Sequence, residues 1–198
     1  MGPVSTTIAG IALFIAAYSA GSFPTASIVG LLSGHDHSKE GSGNPGASNV
    51  YRTSGAAYGL VTVVIDALKG FLPVLAAIAI AGRPWAAGAW AAATIGHVFP
   101  IARWRNGGKG VATAGGGSVP LYPYMALILV PLFIATVKLT KRASVGSLVI
   151  TLGMVVGVVA LHEHIAEVAA ALVVAAIIIF RHRSNIGRLL SGEELKVR

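Results

Sequence analysis

The sequence predicts an all-α, polytopic integral membrane protein that forms a single domain over residues 1–198. Of these residues, 55% are hydrophobic and only 11% are charged, whereas about 25% of the residues in a soluble domain carry a charge. Apolar segments long enough to cross a bilayer recur along the chain, and short polar stretches separate them. Together these observations place the whole chain in a membrane.

About seven transmembrane helices account for the apolar segments, taken in order. The first segment contains Pro24, which breaks a helix and leaves carbonyl groups that need partners within the protein. The second contains Asp66 and Lys69, which share one helix face because they are three residues apart. The fourth is too long for one helix and is interrupted by glycines, so it forms either two short middle helices or a re-entrant loop. The expected segments are 7–32, 56–81, 85–101, 111–137, 148–161 and 165–180.

The positive charges predict the orientation of these helices. Thirteen of the fifteen Lys and Arg residues lie in four short polar stretches, and such cations mark the cytoplasmic loops of membrane proteins. We therefore expect the N-terminus outside and the C-terminus in the cytoplasm, with the chain between 109 and 138 crossing twice or re-entering. The expected cytoplasmic cations are Lys39, Arg52, Arg103, Arg105, Lys109, Lys138, Lys141, Arg142, Arg181, Arg183, Arg188, Lys196 and Arg198.

Composition also excludes several classes of function. Without cysteine, the chain has no disulfide, thiolate nucleophile or Cys-ligated metal. The net charge of +8 suits nucleic acid at first sight, but cations placed between apolar spans favour anionic lipid or a phosphorylated substrate. His162, Glu163 and His164, with Glu167, resemble a metal pair or part of an acyltransferase motif. We expect a structural role for them, because they face the opposite side from the other polar clusters. No metal and no cofactor are predicted.

Four polar clusters on the predicted cytoplasmic side indicate a phosphate site. Residues 41–52 combine glycines, which bring backbone N–H groups close to a ligand, with neutral donors and Arg52. Residues 107–110 place glycines and Lys109 directly before a helix, where an anion is stabilised. Their spacing differs from that of a nucleotide-binding P-loop. The third cluster is Ser144 with Ser147, just before the apolar segment 148–161, and the fourth occupies residues 182–194.

Four blocks of this sequence, in their order, resemble one family. They are GSGNPGASNVYR (41–52), D-x-x-K-G (66–70), GHVFP with GGKGVAT (96–113), and RHRSNIGRLLSGEE (181–194). Together they resemble the bacterial acyl-phosphate-dependent glycerol-3-phosphate acyltransferases (PlsY), over nearly the whole chain. The chain departs from that family's usual pattern at Asp36-His37-Ser38, and it has Asn106 and Gly187 where lysine is common.

The resemblance implies a multi-pass enzyme of the plasma membrane whose active site faces the cytoplasm. Such an enzyme transfers an acyl group from acyl phosphate to the sn-1 hydroxyl of glycerol 3-phosphate. The products are lysophosphatidic acid and phosphate, in the first acylation of phospholipid synthesis. The partners would be these two substrates and membrane lipid, with no nucleic acid, and we expect a monomer.

The site residues implied by the resemblance follow by position. Catalytic roles fall to Ser42, His182 and Asn185. Substrate-binding roles fall to Gly43, Asn44, Asn49, Arg52, Gly107, Gly108, Lys109, Gly110, Ser147 and Glu193.

The chemistry of an acyl phosphate fits this set of residues. The donor is already activated, so no Ser or Cys nucleophile is required. The attacking hydroxyl must still lose a proton, for which His182 is the first choice and a substrate phosphate oxygen the alternative. A transporter or channel for an organic phosphate is the rival function, since broken helices and charges near the midplane also serve transport. Polar clusters on one side only and the lack of an evident inverted repeat disfavour it.

Overall fold

The structure is a computed structural model that describes residues 2–101, 107–161 and 164–197. Arg103, Arg105, Asn106, His162 and Glu163 lie outside the described residues. Within the described ranges the chain forms ten helices joined by short loops. They are α1 (Pro3–Gly21), α2 (Thr25–Ser33), α3 (Ala47–Ser54), α4 (Ala56–Ala81), α5 (Arg83–Val98), α6 (Val111–Ser118), α7 (Pro123–Thr140), α8 (Ala143–Ala160), α9 (Ile165–Arg181) and α10 (Arg183–Leu190).

The long apolar segments form helices close to the expected bounds. The segment expected at 56–81 is α4, and it lies between Gly55 and Gly82, whose positive φ angles of 90° and 89° suit glycine and end a helix. The first segment breaks into α1 and α2, as predicted. At the break the carbonyl of Phe23 accepts hydrogen bonds from the backbone N–H of Thr25 at 2.9 Å and from Lys69 Nζ at 3.0 Å, so this carbonyl has partners within the protein, as a membrane requires.

Three stretches expected as loops contain helical residues, which corrects the sequence-based boundaries. Helix α3 lies within the first polar loop, and α10 lies within the polar tail. Helix α8 begins at Ala143, so Ser144 and Ser147 lie on a helix and not in the loop expected at 138–147. Short polar helices lack the long apolar run that reveals a membrane helix in a sequence. These ones bury only a few residues, such as Asn49 on α3 and Asn185 on α10.

Residues 107–122 run the whole length of the helix bundle and do not turn back halfway. Lys109, before α6, contacts Asn185 just beyond one end of α9. Tyr122, after α6, donates a hydrogen bond to Glu167 near the other end of α9. We call these the Lys109 end and the Glu167 end of the bundle. Of the two short middle helices expected, α6 has eight residues, whereas α7 has eighteen and returns to the Lys109 end.

The described part of the chain passes between the two ends seven times, and it starts at the Glu167 end and finishes at the Lys109 end. Four helical segments are long and apolar enough to cross a membrane, or five if the bent pair α9 and α10 forms one span. Helix α5, with 16 residues, is about 24 Å long, less than the ~30 Å apolar core of a bilayer. The number of full crossings and the side that each end faces stay predictions.

Glycines let α4 and α6 pack with their backbones in contact. A Cβ atom on Gly70 would lie 2.0 Å from the carbonyl oxygen of Thr113, and one on Gly116 would lie 2.0 Å from that of Ala67. Small residues allow such close approach between membrane helices. This contact holds the first turns of α6, and with them Lys109, against the centre of the bundle.

An ion-pair network closes the Glu167 end. The Arg83 guanidinium, at the start of α5, donates to both oxygens of Glu167 at 2.9 and 2.7 Å, and it also donates to the carbonyl of Leu121. Tyr122 donates to the same carboxylate. Glu167, which is almost fully buried, therefore ties α5, α9 and the α6–α7 turn together, in agreement with the structural role predicted for it.

Candidate active site

A cavity of about 460 Å³ runs into the bundle from the Lys109 end. Its wall near that end carries charged and polar side chains from α3, α8, α10 and the loop before α6. Deeper in, its wall consists mainly of apolar side chains from α6, α7, α8 and α9. One continuous space therefore offers a polar end for a charged group and an apolar chamber for a hydrocarbon.

Three helices point their N-termini at the polar end. Gly46, Gly110 and His182 line the cavity, and they immediately precede α3, α6 and α10. The first N–H groups of a helix have no partner within it, and the helix dipole adds a partial positive charge there. Converging helix N-termini therefore make the polar end suited to phosphate groups.

Side-chain charges reinforce this preference for anions. Arg52, Lys109 and Arg188 line the polar end, where Glu194 is the nearby carboxylate. The pKa of Lys109 is lowered to about 8, mainly by burial and also by the neighbouring arginines, while Glu194 acts to raise it. The ammonium group is thus charged at neutral pH but poorly compensated, and a bound phosphate would stabilise its charge.

Glu194 is the centre of the hydrogen-bond network at the polar end. Its Oε1 accepts from Ser144 Oγ at 2.7 Å and from Asn185 Nδ2 at 2.6 Å, and its Oε2 accepts from Arg188 Nε at 2.8 Å. Burial acts to raise the pKa of Glu194, but these three hydrogen bonds lower it overall. Because Asn185 also accepts from Lys109 Nζ, the Glu194 carboxylate fixes the amide that positions the lysine.

His182 is buried and presents a neutral imidazole. Its Nδ1 lies 2.8 Å from the carbonyl oxygen of Ile178, so Nδ1 carries the proton and Nε2 is the accepting nitrogen. Burial is the main reason that the pKa of His182 is lowered to about 4. At neutral pH this side chain can therefore accept a hydrogen bond from a hydroxyl group and orient it.

Asn49 shapes the loop that forms one wall of the polar end. Its Oδ1 accepts from the backbone N–H of Ser42 at 2.8 Å, and its Nδ2 donates to the carbonyls of His37 and Glu40 at 3.0 and 2.9 Å. The side chain is almost fully buried. Asn49 thus holds residues 37–42 against α3 and so positions Ser42 at the cavity mouth.

Gly107 and Gly108 position Lys109 through their packing. A Cβ atom on Gly108 would lie 2.2 Å from His97 Nε2, and one on Gly107 would lie 2.2 Å from the His97 carbonyl oxygen. Arg181 donates to the carbonyl of Gly107 at 2.7 Å. The two glycines pack behind the cavity wall, and this close packing sets where the following lysine enters the cavity.

The structure brings together nine of the thirteen predicted site residues on the cavity wall. These are Ser42, Asn44, Asn49, Arg52, Lys109, Gly110, Ser147, His182 and Asn185. Gly43 is exposed beside the cavity mouth, and Gly107 and Gly108 pack behind the wall. Glu193 is exposed and accepts a hydrogen bond from Ser191. The position expected for Glu193 is occupied by Glu194, because the turn after α10 points the second of the two adjacent glutamates inward.

The predicted site residues did not include Glu194 or Arg188, and Ser144 was predicted only as the polar neighbour of Ser147. The pair Glu193-Glu194 did mark a carboxylate, but a sequence does not say which of two neighbouring side chains in a turn points inward. Arg188 follows His182 by six residues, a spacing that becomes informative only once α10 is known to be a helix. The apolar chamber was expected only in outline, as a place within the bundle for an acyl chain.

The fold and the cavity together define a class of protein. The chain is a multi-pass helical membrane protein whose anion-binding polar end opens into an apolar chamber. Such a protein is suited to a substrate with a phosphate head and a long apolar tail. Comparison with known sequences identifies the family within this class. A family profile described as glycerol-3-phosphate acyltransferase matches residues 11–192. The chain belongs to this family.

Individual relatives agree with this membership. The chain is 42% identical over 179 residues to a glycerol-3-phosphate acyltransferase of Geobacter sulfurreducens, with 90% of this chain and 92% of that protein covered. It is 40% identical over 190 residues to one of Trichlorobacter lovleyi, with 95% and 97% covered. The crystal structure of PlsY (YgiH), an integral membrane glycerol 3-phosphate acyltransferase, in its glycerol 3-phosphate form superposes with a TM-score of 0.91 at 34% identity and 95% coverage of both chains. Its lysophosphatidic acid form superposes with a TM-score of 0.89.

Proposed function

We propose that this chain transfers an acyl group from an acyl phosphate to the sn-1 hydroxyl of glycerol 3-phosphate. The observation that carries the proposal is the continuity of the cavity, whose cationic polar end opens directly into an apolar chamber. Relatives with the same fold are named glycerol-3-phosphate acyltransferases, and the solved structures are named for their glycerol 3-phosphate and lysophosphatidic acid forms. A phosphate-bearing acceptor and an acyl product therefore suit the two halves of this cavity.

The arrangement of the serine side chains favours direct transfer from an activated donor. Ser144 Oγ donates to Glu194, and Ser147 Oγ donates to the carbonyl of Ala143 at 2.9 Å. A serine nucleophile needs its hydroxyl directed at a base that can take its proton. The Ser147 hydroxyl faces only a carbonyl, and the Glu194 carboxylate beside Ser144 is a weak base, because its pKa is lowered and it already accepts from Asn185 and Arg188. An acyl phosphate removes that requirement, because phosphate is already a good leaving group. What the site must supply is stabilisation of phosphate charge and orientation of the hydroxyl.

In the proposed step, the sn-1 hydroxyl oxygen attacks the acyl carbon, an ester bond forms, and the bond from that carbon to the phosphate oxygen breaks. His182 Nε2 accepts the hydrogen bond of the attacking hydroxyl and orients it. With a pKa of about 4, this imidazole holds a proton poorly. The proton therefore ends on the departing phosphate, which leaves as a stronger base than this imidazole and becomes hydrogen phosphate. Lys109 and the N-terminus of α6 stabilise the negative charge of that phosphate.

The same proposal includes the setting of the enzyme. The positive-inside bias of the loops supports an active site that faces the cytoplasm from the plasma membrane. A single chain lines the cavity and supplies both its charged end and its apolar chamber, which supports action as a monomer. The reaction would supply lysophosphatidic acid to phospholipid synthesis.

The test compares donors with purified protein in detergent. Palmitoyl phosphate and palmitoyl-CoA are each supplied with and without glycerol 3-phosphate, and phosphate release, product formation and the position of the acyl group by NMR are measured. We expect lysophosphatidic acid acylated at sn-1, one phosphate released per product, and activity with palmitoyl phosphate only. Activity with palmitoyl-CoA alone would overturn the donor assignment. Uptake of glycerol 3-phosphate into vesicles without acylation would support the transporter instead.

A further inference from the structure

The apolar chamber has a depth that two helices define independently. On α8, Ser144, Ser147, Thr151 and Met154 line the cavity in succession, three or four residues apart, so they follow one helix face inward. On α9 the lining residues run from His182 inward to Ala171. The hydroxyl of Thr151 donates to the carbonyl of Ser147 at 2.7 Å, so this polar side chain is satisfied within its own helix and the wall there is effectively apolar.

Both helices give nearly the same depth. Ser144 and Met154 are ten residues apart on α8, which corresponds to about 15 Å at the helical rise of ~1.5 Å per residue. His182 and Ala171 are eleven residues apart, which corresponds to about 16 Å. An extended hydrocarbon chain advances by about 1.3 Å per carbon, given carbon–carbon bonds of about 1.5 Å. About a dozen carbons therefore fit between the level of Ser144 and the level of Met154 and Ala171.

Rigid packing closes the deep end of the chamber. Met154 and Trp90 line that end, and Trp90 is fixed because its Nε1 donates to the carbonyl of Ala114 at 2.8 Å. Behind them, Tyr122 packs edge-on to Trp90, with ring centroids 6.3 Å apart, and is itself tied to Glu167. Met125 fills the space beside α8, where a Cβ atom on Gly157 would lie 2.1 Å from its Cε.

We propose that Met154, supported by Trp90, sets the upper limit on the length of the acyl chain that the enzyme uses efficiently. This inference rests on the proposed function, since it assumes that the acyl chain of the donor occupies the chamber. A chain that reaches Met154 gains the full benefit of burial. A longer chain must bend toward the side of the chamber, where the partly exposed Val63 and Val130 form the wall. Its extra methylenes therefore bury little further apolar surface and add little to the binding free energy.

The test changes the volume at position 154 in both directions. Met154→Ala removes three heavy atoms and deepens the chamber, whereas Met154→Phe fills it. Burial of one further methylene corresponds to about a fourfold gain in binding. We therefore expect the ratio of kcat/KM for myristoyl phosphate over lauroyl phosphate to rise about four- to fifteen-fold in Met154→Ala, for one or two additional buried methylenes. In Met154→Phe the ratio for lauroyl phosphate over decanoyl phosphate should fall by a similar factor.

Matched controls come from the same helix. Leu152 is exposed, two residues from Met154 and on the outer face of α8, so Leu152→Ala and Leu152→Phe should leave both ratios within twofold of the wild-type values. Each ratio is measured on one preparation with two donors, so any fraction of unfolded protein cancels. Equal losses on both donors, or an unchanged ratio, in both Met154 variants would overturn the inference. If the wild type used no acyl phosphate of any length, the proposed function itself would have failed.

Discussion

Glu194, and not its neighbour Glu193, should be the carboxylate on which activity depends. In Glu194→Gln the side-chain oxygen can still accept from Ser144 and Asn185, but the new NH₂ group then faces the Arg188 guanidinium, and two donors meet. If the amide turns the other way, the bonds from Ser144 and Asn185 are lost instead. Either orientation loses at least one hydrogen bond to a charged group, and the lysine partner of Asn185 loses its fixed position.

The expected size of the fall in activity follows from the lost hydrogen bond. A hydrogen bond to a charged group contributes about 1.5–3 kcal/mol. The Arg188 side chain is 32% exposed, so water screens part of the interaction and the lower value applies. About 1.5 kcal/mol corresponds to roughly a tenfold fall in kcat/KM. We expect the fall mainly in kcat, since the network orients Lys109 and does not itself form the chamber for the acyl chain.

Glu193→Gln is the matched control, because it removes the same charge one residue away. Glu193 is exposed, and its partner is Ser191, so this variant should keep kcat/KM within twofold of the wild-type value. The assay is phosphate release from palmitoyl phosphate in the presence of glycerol 3-phosphate, with melting temperatures measured in the same detergent. Equal effects of the two substitutions, or a larger effect at Glu193, would show that activity does not depend on the Glu194 carboxylate.

Three further predictions concern Lys109, the buried ion pair and the packing of α4 on α6. Because burial lowers the pKa of Lys109 to about 8, its charge is present below that pH and lost above it. In a pH–rate profile, kcat/KM should therefore fall above about pH 8. The Lys109→Arg variant should abolish that fall. The buried Lys69 ammonium lies 2.8 Å from the Asp66 carboxylate, and Asp66→Asn removes this counter-charge. The free energy of unfolding should fall by about 3 kcal/mol, and the melting temperature should fall with it. The double variant with Lys69→Met should recover part of the loss. Gly116→Ala should destabilise the protein by about 1–3 kcal/mol through its clash with Ala67. By contrast, a methyl group on Gly115 meets no atom within 4 Å. Gly115→Ala should therefore leave the melting temperature unchanged.

The membrane architecture could be predicted from the sequence because long apolar runs have few alternatives in a bilayer. The segment 56–81 became α4 with the same bounds, and the break before α2 fell where Pro24 stands. The spacing of Asp66 and Lys69 predicted that they share one helix face, on which the structure pairs them. These predictions depend on local patterns, and local patterns are what a sequence displays directly.

The polar site was predicted less completely because its geometry depends on contacts between distant parts of the chain. Lys109 and Asn185 are 76 residues apart, and their contact exists only in the folded bundle. The short helices α3 and α10 carry no membrane-length apolar run, so their N-termini could not be placed at the cavity in advance. The sequence showed which residue types gather near a phosphate, whereas only the structure showed that Asn49 shapes a loop and that Glu194 lies inside.

If Lys109 and His182 act together at one acyl-transfer site, loss of either side chain should abolish the reaction. This is tested by glycerol 3-phosphate-dependent phosphate release from palmitoyl phosphate by the wild type, Lys109→Ala, His182→Ala and the exposed-site control Lys138→Ala. We expect acceptor-dependent release by the wild type and the control, and its loss in both cavity variants at unchanged melting temperature. Full activity in either cavity variant, or no release by the folded wild type, would contradict it.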